Sequence, residues 1–519
     1  MAEAKQSNLL IVNFLATFAR IAGVVIIGFF LTPILIGQLG VEVFGLLTTL
    51  GAAGGMLVIV TNTLQISIAR ELGVSVGKDD KELLQKTFST AFVIQLVAGL
   101  TFLGIATMFA QQIANGLTIP DGFKQTTFYC LILVFIQFTG GIITSPFGGM
   151  IRAYQHLRTI SIIQLLTRLG IFVAAVSMIF VNGDKLLFFV AASLIVNLLS
   201  QLAQVWLSVR RYPASKPLPN KFSLEIFKSI CRYGGFALIG GIGGQIRRNG
   251  IAVVLNIFFG NIVTAANGIA IRLSNLISQA VSIVHTTIQP AMNMNQGAGK
   301  KSINTRLTML SSTIGFAIAL PLVVPLVADT QVILESWLRI ELPEFAVLFS
   351  QLIAITFLFS MISKGHNLAM HANGKIGWLV TVNQLLIAGL IIIGALVACT
   401  WKTNPWLLPA GEMLGMMLVV FLWQPYWVGR KLSIPTKNWI DATIKPCFLM
   451  LSIGLLFSGV VAYLLPSSLW RATILGAAVG LICFAILWRF GFNASERDRL
   501  LSFFRRQVQR IQRAETKPS

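Results

Sequence analysis

The sequence predicts an all-α integral membrane protein with 14 transmembrane helices, and three observations carry that prediction. Of its 519 residues 55% are hydrophobic and 11% charged, and the mean hydropathy is +0.79. Apolar runs of 18 or more residues, the length a helix needs to cross hydrocarbon, recur from end to end. The 40 Lys and Arg are also unevenly placed: with the N-terminus inside, segments expected in the cytoplasm hold 29, the outer loops 5 and the spans 6. This positive-inside bias puts both termini in the cytoplasm and supports the even helix count. It also accounts for the net charge of +22 without nucleic acid.

The punctuation between apolar runs sets each element. The expected α1 (8–36) follows "MAEAKQSN", which has one lysine, and no small-residue cleavage site follows its apolar run, so it is read as a retained span. α2 (43–69) opens after "IGQLG", α3 (86–110) after the charged "GKDDKELLQK", and α4 (123–150) between "IPDGF" and "RAYQHLR". α5 (159–181) and α6 (185–208) are parted by "NGD", and a basic linker, 213–227, precedes α7 (228–259). α8 (262–294) starts after "FFGN", α9 (304–328) after "QGAGKKS", α10 (343–373) after "RIELPE", and α11 (376–400) after "HANGK". α12 (405–428), α13 (444–465) and α14 (468–490) are bounded by "KTNP", "RKLSIPTK" and "PSS". The tail 491–519 sets Leu500, Phe504, Val508 and Ile511 opposite arginines, the pattern of an interfacial helix on anionic lipid. The five cysteines show no CxxC spacing and read as small apolar packing residues.

The chain repeats itself. Gly40 pairs with Gly260, Gly45 with Gly268, Gln65 with Gln289 and Gly73 with Gly297, at offsets of 220 to 224, and α4 and α10 end in similar polar exits, "RAYQHLRTIS" and "LAMHANGKIGW". We therefore expect two six-helix lobes in parallel orientation, 1–212 and 228–430, with the pair 444–490 appended. This plan, with "LIGQLGVEVFGLL", "LQISIARELG", "AYQHLR" and "HANGK", resembles the polysaccharide-transporter branch of the multidrug/oligosaccharidyl-lipid/polysaccharide exporter superfamily. The resemblance implies a flippase carrying an undecaprenyl-pyrophosphate-linked oligosaccharide to the outer leaflet by alternating access, as in O-antigen, lipopolysaccharide or related polysaccharide biosynthesis. A polysaccharide polymerase and glycosyltransferases would be its partners.

The polar residues inside the spans suit such cargo. A guanidinium at the bilayer centre costs about 2.5–3.5 kcal/mol on insertion scales, so intramembrane arginines need partners. Arg20, Arg247, Arg248 and Arg272 lie in spans, and Arg272, Asn275, Gln279, Ser282, Thr286 and Gln289 form one face of α8. Asn13 and Thr17 extend the pattern on α1. Substrate binding is assigned to Arg20, Arg247, Arg248, Arg272, Asn275 and Gln279, since a pyrophosphate suits the guanidinium fork. Snorkelling or bonds to backbone carbonyls are the alternative for each arginine, and the reading adopted for Arg168 and Lys364 near the inner helix ends. Lys364, Asn367 and His371 form a second set at the cytoplasmic mouth, where a solvated helix end also accounts for them.

Glu412, the one carboxylate well inside a span, is read as distant from the arginines. With no carboxylate relay, the membrane potential is the simplest driving force, worth up to about 4.6 kcal/mol for two charges at 100 mV; Glu412 and His285 are the alternative ion-coupling residues. "QGAGKKS" departs from a phosphate-binding loop at Met294 and Lys301, and "HNLAMH" lacks the HExxH glutamate, so neither cofactor nor metal is expected. A drug/cation antiporter should offer more intramembrane carboxylates. A membrane-embedded polymerase or ligase should offer a larger outer domain than 329–344, so no enzyme is expected.

Overall fold

The computed structural model describes residues 2–57, 68, 71–73, 75–76, 80–154, 156–230, 243–297, 300–373, 376–401, 404–432, 434–492 and 497–498. Every regular element among them is helical. Helix starts follow local chemistry: the Asp80 carboxylate accepts from Leu83 N–H at 2.9 Å, Asp184 from Leu187 N–H at 3.0 Å and the Ser468 hydroxyl from Arg471 N–H at 3.1 Å, each closing an orphan donor at a span's first turn. The expected tail helix lies almost wholly outside the described residues, as does Gln65.

Twelve helices among the described residues are long and apolar enough to cross a membrane, against the 14 expected. The difference has two sources. α2 is described from Val41 to Leu57, which is 17 residues, and α7 and α8 join in one run, Ile251–Gly297, broken only at Gly260.

That break is one half of a repeat. Gly260 has φ 85° and Gly40, between α1 (Ala2–Leu39) and α2, has φ 78°, a region that disfavours any side chain. In the register they set, equivalent residues differ by 220. A methyl on Gly45 would stand 3.2 Å from the Ala265 nitrogen and 2.0 Å from the Asn261 carbonyl oxygen, and one on Gly268 would stand 2.6 Å from the Thr48 hydroxyl. Residue 45 thus touches 265, and 48 touches 268. Positions touching their own counterparts mark a two-fold axis, as in an isologous dimer interface. Off the axis the contacts come in pairs: Gly55 of α2 meets Asn249 of α7, and Gly28 of α1 meets Leu276 of α8.

The described residues form two compact units, one of 1–283, 334–356 and 375–419, the other of 284–333, 357–374 and 420–519. In the first, one core gathers Leu46, Leu50, Cys130, Leu131 and Phe135, and a second gathers Leu72, Phe88, Phe147, Met150 and Tyr212. The linker expected at 213–227 is laid along α3 (Lys81–Met108): Leu218 N–H donates to Ser89 Oγ at 3.1 Å, Ser223 N–H to Thr90 Oγ1 at 3.0 Å and Lys221 Nζ to Gln85 Oε1 at 2.6 Å.

In the second unit α9 (Lys301–Ala328) packs on α13 (Lys445–Leu464) and α14 (Leu469–Ile486). The Arg471 guanidinium, buried, donates to both Asp329 oxygens from Nε at 3.0 Å and to the Leu465 carbonyl from Nη1 at 3.0 Å. This pair fastens α14 to the end of α9, and its extra hydrogen bonds offset the desolvation of two buried charges.

Candidate functional site

The polar segment of α7 is held apart from its apolar flanks by a π-helical turn, Ile246–Gly250, a local widening often found at functional sites. Before the turn, Gln245 is buried; its Nε2 donates to the Gly55 carbonyl of α2 at 3.0 Å and its Oε1 accepts from Asn249 Nδ2 at 2.8 Å. Gly55 permits this approach, since a methyl there would stand 2.9 Å from Asn249 Nδ2.

Within the turn, Arg247 Nε lies 3.6 Å from Glu412 Oε1. Glu412 belongs to α12, described as Leu407–Leu418, which α11 (Ile376–Trp401) receives on its small residues: methyls at Gly411 and Gly415 would stand 2.5 Å from the Leu390 carbonyl oxygen and 2.8 Å from Ile387 Cα. The expectation that Glu412 is remote from the arginines is therefore corrected. Sequence distance hid it, because helix packing, not spacing along the chain, decides which charges meet. The Arg248 side chain lies outside the described residues.

A second cationic cluster joins three helices. Arg20 of α1 donates from Nη1 to Gln164 Oε1 of α5 (Leu157–Ser177) at 3.2 Å. One turn further along α5 is Arg168, an exposed side chain whose charge reaches Arg272 of α8. Arg272 is half-buried and its guanidinium lies 4.8 Å from the centre of the Phe44 ring of α2. No carboxylate pairs with Arg20, Arg168 or Arg272 among the described residues. Arg168, read from sequence as snorkelling, is exposed and shares a helix face with Gln164; Gln164 and Phe44 were not anticipated. The clue was the i, i+4 spacing of Gln164 and Arg168, an amide and a guanidinium on one helical face of a span.

The remaining candidates are dispersed. Asn275 is exposed and Gln279 half-buried, in the same unit as Arg272. His285, Lys364 and Asn367 belong to the other unit. His285 is buried, its Nε2 set against Gly315, where a methyl would stand 2.8 Å away, and Lys364 is near enough to act on the ring electrostatically. Asn367 Oδ1 accepts from Gln424 Nε2 at 3.5 Å, and the His371 side chain lies outside the described residues.

At the exits of α4 (Lys124–Ala153) and α6 (Lys185–Arg211), His156 Nδ1 bonds the Tyr212 hydroxyl and Arg211 Nη2 lies 3.3 Å from His156 Nε2. Tyr154 stacks on Tyr212 at 4.4 Å. Burial, then the Arg211 charge, hold the His156 imidazole below its usual pKa, and burial pushes the Tyr212 phenol up.

Comparison with known proteins identifies a sequence family and a fold. The profile of a family described as polysaccharide biosynthesis protein matches residues 10–296. No curated protein sequence matches the chain. Among solved structures the chain is similar to the lipid II flippase MurJ in an inward closed conformation, at 12% identity and TM-score 0.66 over 92% of this chain and 99% of that one. It is also similar to a multidrug resistance MATE family transporter of the MOP superfamily in its inward-facing conformation, at 14% identity and TM-score 0.63 over 81% and 99%. A third is a MOP superfamily transporter from Pyrococcus furiosus whose binding pocket is described as reversed in polarity, at 14% identity and TM-score 0.60 over 81% and 98%. At such identities the likeness shows the fold.

Proposed function

The chain belongs to the polysaccharide biosynthesis protein family, and from that premise we propose that it is a flippase moving an undecaprenyl-pyrophosphate-linked oligosaccharide from the cytoplasmic to the outer leaflet. The observation that carries this reading is the cluster of Arg20, Arg168 and Arg272, three guanidiniums with no carboxylate partner among the described residues. Gathered cations in a span repel one another and lose hydration, so such a site favours an anion with several oxygens. A pyrophosphate offers such oxygens, and a guanidinium can bind two of them at once. Phe44 holds the Arg272 guanidinium by its ring face and leaves its edge donors for the cargo. Asn275 and Gln279 continue the polar face toward the glycan.

Alternating access is the motion the expected repeat supports: lobes 1–212 and 228–430 would rock about the line on which α2 and α8 touch. Arg247 is placed differently from the other arginines, since Glu412 already balances it; the carboxylate keeps its place until cargo arrives. A drug/cation antiporter is the competing reading, supported by the likeness to MATE transporters. The Arg247–Glu412 pair weighs against it, because it engages a carboxylate an organic cation would use.

The test is reconstitution of the full chain in vesicles with a labelled undecaprenyl-pyrophosphate disaccharide, following exposure of the sugar to an impermeant glycosidase. Time-dependent exposure that Arg272→Ala abolishes supports the flippase. Export of organic cations without lipid movement supports the antiporter.

A further inference from the structure

Away from the arginines, at the end of the helices where Lys and Arg are sparse, a cleft of about 760 Å3 opens between the short helix Ala110–Gly116 and the start of α4. Gln111, Asn115, Gln125, Phe128 and Tyr129 line it, with Lys124 as its one charge. Gln111 Nε2 donates to Asn115 Oδ1 at 3.3 Å, which leaves Asn115 Nδ2 as donor and Gln111 Oε1 as acceptor side by side. Gln125 Nε2 donates to the Tyr129 hydroxyl at 3.2 Å, so the phenol is fixed while its ring, 46% exposed, stays open beside Phe128 at 5.9 Å.

The loop beside the cleft is also held. Buried Asn256 of α7 grips Thr118 on both sides of its peptide unit, accepting from Thr118 N–H at 3.0 Å and donating to its carbonyl at 3.2 Å, while donating to Asn261 Oδ1 at 2.8 Å. A cleft whose walls join amides and an aromatic face to the apolar Ala114, Leu117 and Ile119, with one charge, beside a loop fixed by a buried clamp, is not shaped for an anion. Paired amide donors and acceptors match neighbouring hydroxyls, and an aromatic face takes the C–H side of a sugar ring. The volume falls in the range of small-molecule sites and admits a short oligosaccharide.

We propose that this cleft is a saccharide-binding subsite, distinct from the cationic cluster, that takes neutral sugar units on the outer side. Calling those units the glycan of the transported lipid rests on the flippase reading; the sugar chemistry does not. Through Asn256 the cleft is joined to the helix that carries Arg247, so an occupied cleft and an occupied cationic site bear on one helix.

The test uses the full chain in nanodiscs and saturation-transfer NMR with soluble neutral oligosaccharides as probes, compared with a sugar acid of the same size. Transfer to ring protons of the neutral probes, weakened about five- to tenfold by Gln111→Ala or Tyr129→Ala, is expected, the loss of one or two hydrogen bonds. Arg272→Ala should leave it unchanged. Melting of each variant is recorded, and Gln125→Ala serves as a second cleft variant should one of the others unfold. No transfer to any sugar, equal transfer in every folded variant, or transfer to lipid headgroups instead overturns the subsite. Binding without lipid flipping in the vesicle assay overturns the flippase reading alone, and flipping without binding overturns the cleft alone. In the first case the cleft's sugar comes from another envelope polymer; loss of flipping in cleft variants identifies it as cargo.

Discussion

Arg247 Nε and Glu412 Oε1 stand 3.6 Å apart, 165 residues from each other in the chain, inside spans that the sequence alone could not bring together. Among the described side chains the pair separates Arg247, balanced by a carboxylate, from Arg20, Arg168 and Arg272, which are not. Each group gives its own prediction.

Breaking the pair should destabilise through the charge left behind. Glu412→Ala and Arg247→Ala should each lower the melting temperature of the purified protein, and the double variant should be more stable than the sum of the two losses implies. Neighbouring charges of this kind couple by about 0.5–3 kcal/mol. A thermal double-mutant cycle checks this, and strict additivity would show that the pair is idle.

For the unbalanced arginines, replacing Arg20, Arg168 or Arg272 by Ala should stop glycan export with protein level intact. Each lost charge-assisted bond to pyrophosphate should cost about 1.5–3 kcal/mol, roughly 10- to 150-fold in affinity. Lysine should rescue in part, since it keeps the charge and loses the fork. Arg168→Ala is the sharpest case: a snorkelling residue would leave binding of the labelled lipid unchanged.

Close packing at the axis predicts a contrast between two glycines of one helix. A methyl on Gly45 would meet the Asn261 carbonyl at 2.0 Å, whereas Gly51 is exposed with nothing within 4 Å of an added methyl. Gly45→Ala should cost about 1–3 kcal/mol by overpacking and impair flipping; Gly51→Ala should do neither. Parallel melts and vesicle assays of the two variants decide it.

Gly260 makes the opposite case. Nothing lies within 4 Å of its missing side chain, yet its φ of 85° with ψ of −177° is open to glycine almost alone. Gly260→Ala should therefore destabilise by about 1–3 kcal/mol through backbone strain, with no steric neighbour to blame. Chemical denaturation of that variant beside Gly37→Ala, which also has open space and lies in a regular helix, separates strain from volume.

The His156 cluster predicts a pH response. The folded imidazole titrates below its unfolded value, so the unfolded chain binds the extra proton first, and the cluster's stability is complete above about pH 6.5 and fades as pH falls through the lower folded value. Neutral His156 can accept from Arg211 while bonding Tyr212; the protonated ring has no acceptor to offer. Protection from hydrogen exchange over 156–160, corrected for the intrinsic rate at each pH, should fall between pH 7 and pH 5, and His156→Phe should remove that dependence.

Much of the fold was legible because hydrocarbon imposes length and apolarity on each span, so boundaries such as 185–208 against Lys185–Arg211 fall close together. Gly40 and Gly260 could be matched because a backbone turn open only to glycine leaves a mark in the sequence. The Glu412 contact could not, since it depends on how closely Gly411 and Gly415 seat α12 against α11. Nor could the influence of Arg168 on Arg272, for a cation near a helix end reads alike whether it faces lipid headgroups or a second arginine. The cleft lined by Gln111 and Tyr129 was equally silent, because amides and tyrosines at a membrane boundary are ordinary until a buried asparagine is seen clamping the loop beside them.

Where position 45 meets 265 and 48 meets 268, α2 and α8 rest against each other residue by counterpart. Away from that line the twins have parted company. In the same register Arg20 answers to Gly240, Arg247 to Ile27 and Arg272 to Ala52. The halves share a skeleton and differ in charge at every one of these points. On the flippase reading, a frame that is even-handed in shape but lopsided in electricity would present unlike walls to an anionic passenger.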